Sequence, residues 1–146
     1  MSNTEKLLEI LDKELNLDNI VFTGGTCDQY HTGGEFNLDD IRDIDILYTK
    51  ATLPKKAMKF LKPGYFNLTA ILTRNFNEKI FYGTLPGTDI RVDIFVGTMV
   101  HDEHEIARGF DRVKVMTADC RLRTLNIFVT NLSRYRRKFL NKIDLY

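Results

Sequence analysis

The sequence predicts an α+β domain in which a mixed β-sheet is flanked by helices and followed by a long C-terminal helix. Three observations carry that expectation. Leu7, Leu8, Leu11 and Leu15 recur at helical spacing near the N-terminus. A series of short apolar runs, each bounded by Gly, Pro or Asp, reads as strands. From Thr117 to about Leu140 the apolar positions Leu122, Leu125, Phe128, Val129, Leu132 and Leu140 return to a helical period. A chain of 146 residues suits one domain. Its 43% hydrophobic and 28% charged content excludes a disordered or collagen-like chain.

The elements follow in order. Thr4 to Leu15 reads as the first helix, with Ser2, Asn3 and Thr4 offering cap oxygens. Asn19 to Thr23 reads as a buried strand that ends at the turn Gly24-Gly25, and a short helix is expected from Thr26 to Tyr30. Residues 31–42 are polar and glycine-rich and read as a loop. Asp43 to Tyr48 alternates as a strand with one apolar face. Pro54 to Leu61 reads as a short helix that Pro63-Gly64 stops. Strands are expected at Leu68–Thr73, Lys79–Tyr82 and Ile90–Val96, with a hairpin-type turn over 83–89, and again at Arg112–Met116. Thr117 then caps the C-terminal helix.

Net charge is only +1, but it is unevenly spread. Residues 1–100 hold 11 Lys/Arg against 14 Asp/Glu, whereas residues 101–146 hold 10 against 6. A polyanionic partner would meet the C-terminal part first. No apolar run approaches the roughly 18–20 residues that cross a bilayer. Residues 1–6 lack the layout of a secretory leader. The two cysteines, Cys27 and Cys120, have no metal-ligand spacing and read as reduced thiols, so a cytoplasmic location is expected.

Three motifs point to chemistry. Gly24-Gly25-Thr26 directly follows a strand. Glycine lets the backbone approach a bulky ligand closely, and a helix starting there favours a phosphate; a plain tight turn is the simpler alternative. In Asp43-Ile44-Asp45, residues two apart on a strand project from one face, so two carboxylates stand together. Such a pair is unfavourable without a positive neighbour, and Mg²⁺ is the usual remedy; a solvated edge strand is the alternative. Asp93 stands alone among Val92, Ile94 and Val96. If its strand lies beside that of Asp43, three acids are available for two divalent ions; otherwise it is a surface aspartate paired with Arg91.

In their order and strand context, Val21-Phe22-Thr23-Gly24-Gly25-Thr26, Arg42-Asp43-Ile44-Asp45-Ile46-Leu47 and Val92-Asp93-Ile94-Phe95 resemble the motif set of the DNA polymerase β-like nucleotidyltransferase superfamily. The Gly-Gly-Thr wording is similar to that of its minimal, abortive-infection and toxin-like branch. The resemblance covers residues 21–96, about half of the chain. It implies a nucleotidyltransferase-like sheet and transfer of a nucleoside monophosphate from a triphosphate such as ATP to a hydroxyl acceptor. It further implies that Asp43, Asp45 and Asp93 bind two Mg²⁺ (or Mn²⁺) ions, with Asp93 a candidate base. Gly24, Gly25 and Thr26 would then hold the nucleotide's phosphates. Two departures stand out. Eighteen positions separate Gly25 from Asp43, longer than the family's usual spacer, and that loop carries further acids, Glu35, Asp39 and Asp40. Only residues 97–146 are left for the helical region that most members add.

Between Cys120 and Ile143 lie seven basic residues and no acid. Among them Arg134, Arg136, Arg137 and Lys138 are candidates for contact with an RNA acceptor such as a tRNA end, with Tyr135 and Phe139 as stacking faces; a solvated helix face is the alternative. The segment His101-Asp102-Glu103-His104-Glu105 reads as a solvated loop or helix start, and His31 as a helix-surface residue. Two functions are therefore expected to compete. One is a metal-dependent nucleotidyltransferase. The other is an inactive or partner-dependent module of the same fold that binds nucleic acid or protein, alone or as an oligomer.

Overall fold

The computed structural model describes residues 2–64, 79–96, 103–131 and 133–146. Helix α1 spans Asn3–Leu15 and is capped by Ser2, whose hydroxyl accepts from the Glu5 amide. Its four leucines are buried, as their spacing predicts. A 3-10 turn over Leu17–Asn19 leads into strand β1 (Ile20–Thr23), and helix α2 (Gly24–Gly33) follows with no intervening loop. α2 therefore starts two residues earlier and ends three later than expected. It stops where Gly34 adopts a left-handed φ of 82°. Strand β2 covers Asp43–Tyr48, as predicted.

The segment after Pro54 departs from the expected helix. A 3-10 turn occupies Lys55–Lys59, and Leu61–Gly64 forms strand β3, so Pro63-Gly64 lies within a strand. β3 is terminal in the strand order, where proline's missing N–H disrupts no second ladder. Strands β4 (Lys79–Thr84) and β5 (Arg91–Val96) pair antiparallel across the predicted turn, which buries Leu85 and turns at Gly87. The strand expected at Leu68–Thr73 lies outside the described residues. Strand β6 (His104–Ile106) stands where a solvated loop or helix start was expected. It pairs with β7 (Lys114–Met116), which is shorter than the predicted 112–116; Arg112 lies outside the strand and bridges Asp12 and Asp18.

The described strands form one mixed sheet in the order β3-β4-β5-β2-β1-β7-β6. β2 runs parallel to β5 and β1 parallel to β7, while the other neighbours are antiparallel. Phe22, Ile44, Ile46, Val92 and Ile94 are each fully buried and join the α1 leucines in one core cluster.

The C-terminal helix begins as helix α3 (Ala118–Asn131), with the Thr117 hydroxyl accepting from the Cys120 amide as the cap. A 3-10 turn at Ser133–Tyr135 then redirects the chain into helix α4 (Arg136–Asp144). The two helices fold back on each other, bringing the Phe128 and Phe139 rings to 5.1 Å. Leu125 is buried, but Leu140 is 42% exposed, so the apolar stripe reaches the core only in its first half. No helix among the described residues is long and apolar enough to cross a membrane.

Candidate active site

Antiparallel pairing sets Thr23 opposite Asp45, and parallel pairing sets Asp45 beside Asp93 and Asp43 beside Arg91. Laterally paired residues project from the same face. Asp43, Asp45 and Asp93 therefore share one face at the centre of the sheet, while Ile44, Ile46, Val92 and Ile94 enter the core from the other. The two strands that the three acids required as neighbours are neighbours.

The glycine turn meets the same spot. Gly24 has φ +64°, and a Cβ built on it would stand 2.1 Å from Asp45 Oδ2. Two independent constraints thus demand glycine: a left-handed backbone and a carboxylate pressed against it. Gly25, by contrast, has nothing within 4 Å of such an atom. Thr26 is 2% exposed, and its hydroxyl is buried without a hydrogen-bond partner among the described residues. Gly24→Ala is expected to cost about 1–3 kcal/mol in urea denaturation, from left-handed strain plus displacement of the Asp45 carboxyl. Adding Asp45→Gly should recover part of that loss; no recovery would mean the contact contributes nothing.

The three acids differ in their surroundings. Asp45 is half-buried, and its pKa is pushed up to about 6. Burial is the main cause, the Asp93 charge adds to it, and Arg121 and Lys142 pull the other way. Asp93 is held by Arg91, whose Nε and Nη2 donate to Oδ1 at 3.2 Å each. This is the pairing that the surface-aspartate alternative anticipates. Asp43 is exposed at the start of β2 and lines a cavity of about 370 Å³ with Gln29, Asn37, Asp40 and Arg42. Of the other acids in that loop, Asp39 is engaged in structure: its Oδ1 accepts from the Thr4 amide at 2.9 Å and from the Thr4 hydroxyl.

Among the described residues, no group of three His, Cys, Asp or Glu side chains forms a ready-made metal cage. The donor chemistry nevertheless suits a hard divalent cation: adjacent carboxylate oxygens, one of them desolvated and short of compensating positive charge.

A buried ionic cluster, not legible in the sequence, backs the site. Asp28 lies on α2, one turn beyond Gly24-Gly25. Arg121 of α3 donates to both its oxygens, from Nε at 2.7 Å and Nη2 at 2.8 Å. Lys142 of α4 lies 3.2 Å from Oδ2, and the Tyr146 hydroxyl donates to Oδ1. Burial raises the pKa of Asp28, but the bonds and charge of Arg121 outweigh it and leave the carboxyl below its ordinary value. The direction of Arg121, open from sequence, is thus inward, whereas Arg123 is exposed and pairs with Glu103.

The remaining candidates are placed as follows. Arg134, Arg136, Arg137 and Lys138 are all exposed. Arg136 Nε donates to the Val129 carbonyl near the end of α3, and Arg134 lies 5.7 Å from the Tyr135 ring centroid. His31, expected on the helix surface, is largely covered; its Nε2 bonds the Met116 carbonyl at 2.7 Å and ties α2 to β7. Burial drives the Cys27 thiol up to about 12, so it stays protonated at neutral pH and is no nucleophile. No protein-family model matches the sequence, and no curated protein or solved structure is significantly similar to it.

Proposed function

We propose that the protein is a metal-dependent nucleotidyltransferase that moves a nucleoside monophosphate from a nucleoside triphosphate to a hydroxyl acceptor, in a nucleotidyltransferase-like variant of this α+β fold. One observation carries the reading: Asp45 is flanked by Asp93 on the neighbouring strand and pressed by Gly24 at the start of α2. A glycine turn opening a helix and a set of carboxylates thus meet at one point, which is what phosphoryl chemistry needs of a protein.

Asp43, Asp45 and Asp93 would hold two Mg²⁺ (or Mn²⁺) ions. Bound there, such ions supply charge neutralisation for the triphosphate and a lowered pKa for the acceptor hydroxyl. The amides at the start of α2 would orient the phosphates, whereas the Thr26 hydroxyl is buried and closed to them. Lys142 and Arg121 give the α2 side a positive bias felt at Asp45. Arg91 neutralises Asp93 until substrate arrives.

Isothermal titration of each nucleoside triphosphate, with and without Mg²⁺, tests this on the wild type and Asp45→Ala. Magnesium-dependent binding in the micromolar range that falls at least tenfold in Asp45→Ala is expected. Binding that ignores both magnesium and the substitution would overturn the metal site. A second reading is a non-catalytic nucleic-acid-binding module, favoured by the exposed basic surface of Arg134, Arg137 and Lys138. It predicts salt-sensitive RNA binding that Asp45→Ala leaves intact.

A further inference from the structure

We infer that the groove on the β3–β4–β5 side of Asp93 is a binding site for a nucleotide unit, which offers its planar base to Tyr82 and its phosphate to Lys62 and Arg91. Only its role, seating the acceptor, rests on the transfer reaction proposed above.

The strand register builds the site. Lys62 is opposite Tyr82, Tyr82 is opposite Asp93, and Asp93 is beside Asp45. Laterally paired residues share a face, so these four side chains form a row across four strands. At about 4.8 Å per strand, Lys62 stands roughly 10 Å from Asp93, about the reach of one nucleotide. Along the Lys62 and Tyr82 end of this row opens a cavity of about 450 Å³ lined by Phe60, Lys62, Tyr82, Gly83, Thr84 and Arg91. That volume is in the range of small-ligand sites.

Its chemistry narrows the occupant. The lining holds two cations, two aromatic rings and a hydroxyl, and no carboxylate. The rings are half-buried and the cations exposed. Arg91 lies 5.2 Å from the Tyr82 ring centroid, so a base stacks on that face as the guanidinium turns from the ring to the phosphate. An apolar ligand would leave both cations unused, and an acidic peptide would leave the rings unused. A phosphate joined to a planar base uses all of them.

Arg91 also connects the groove to the carboxylates. The guanidinium that lies over Tyr82 is the one that holds Asp93. A phosphate in the groove competes for it and frees the Asp93 carboxylate for a cation. Groove occupancy and cation binding are therefore coupled, and each must strengthen the other by the same factor.

The test uses two probes, 2-aminopurine riboside 5′-monophosphate and a short single-stranded RNA ending in 2-aminopurine, both titrated in EDTA. Stacking on Tyr82 quenches the fluorophore. Saturable quenching is expected with the wild type, and Tyr82→Ala and Lys62→Ala should each weaken it about tenfold. Lys62 is exposed on a terminal strand, so its variant keeps the fold even if Tyr82→Ala does not. Equal affinity for both probes identifies a free nucleotide as the ligand, and tighter binding of the RNA identifies a strand end; either supports the site. Absence of saturable quenching by both probes, or wild-type affinity in Lys62→Ala, overturns it. Because EDTA removes divalent cations, failure of the metal site leaves this result untouched.

Discussion

Asp28→Ala is expected to lower the unfolding free energy by about 3–5 kcal/mol, enough to threaten the fold of a small domain. The loss is large because of what stays behind. Arg121, whose side chain is 5% exposed, would keep its charge with no carboxylate to receive it. Lys142 and Tyr146 would lose their anchor as well, which loosens α4 from α2. Replacing the pair together, as Asp28→Leu with Arg121→Met, should recover the part due to the stranded Arg121 charge, but not the part due to Lys142 and Tyr146. The pH dependence follows from the lowered pKa of Asp28. Its contribution is present above the unfolded value of 3.8 and is lost as pH falls through the lower folded value. Urea denaturation at pH 7 and pH 3 measures both effects. A loss under about 1 kcal/mol at pH 7 would mean the cluster is not the clamp its geometry suggests.

The second large effect has the opposite sign. Asp45→Asn is expected to stabilise the metal-free protein at pH 8, by at most roughly 3 kcal/mol. The folded pKa of about 6 exceeds the unfolded 3.8, so folding favours the protonated acid. Below 3.8 the ionised form is absent from both states and nothing is lost. From 3.8 to about 6 the unfolded chain releases its proton first, and stability declines as pH rises; above about 6 the whole penalty is in force. Asparagine keeps the shape and removes the charge. Denaturation midpoints of wild type and variant at pH 5 and pH 8 should therefore diverge at the higher pH. Equal midpoints at pH 8 would show that Asp45 is not strained by its charge. A charge that opposes folding in this way fits the role proposed for Asp45, where a bound cation would offset it.

Much of the sheet was legible because alternation is a strong signal. β2 and β5 were readable from apolar residues alternating with charged ones, and α1 from four leucines. The adjacency of Asp45 and Asp93 was only conditional, since pairing is a long-range event that no local pattern encodes. β3 escaped because Pro63-Gly64 is ordinarily a stop, and only its terminal place in the sheet makes it tolerable. β6 escaped because a three-residue run with two polar members, His104 and Glu105, becomes a strand only by pairing with β7. The start of α2 was hidden by two glycines, poor helix formers that sit there because Asp45 leaves no room for a side chain at the first of them. The Asp28–Arg121 pair was invisible for a different reason: 93 residues separate its members, and each reads in isolation as a surface charge. Arg91 was the exception, being two residues from its partner on the same strand face.

The alternation of β2 and β5 also separates two kinds of inheritance within single strands. Residues 43, 45, 91 and 93 face the proposed chemistry, while 44, 46, 92 and 94 hold the core. Specificity can drift at one set without touching the other, since each substitution falls wholly on one side. A one-residue insertion or deletion within β2 enjoys no such freedom. It would turn aspartates into the core and isoleucines into the cleft in a single step, ending fold and function together. Insertions and deletions should therefore be tolerated in the turns and not within β2.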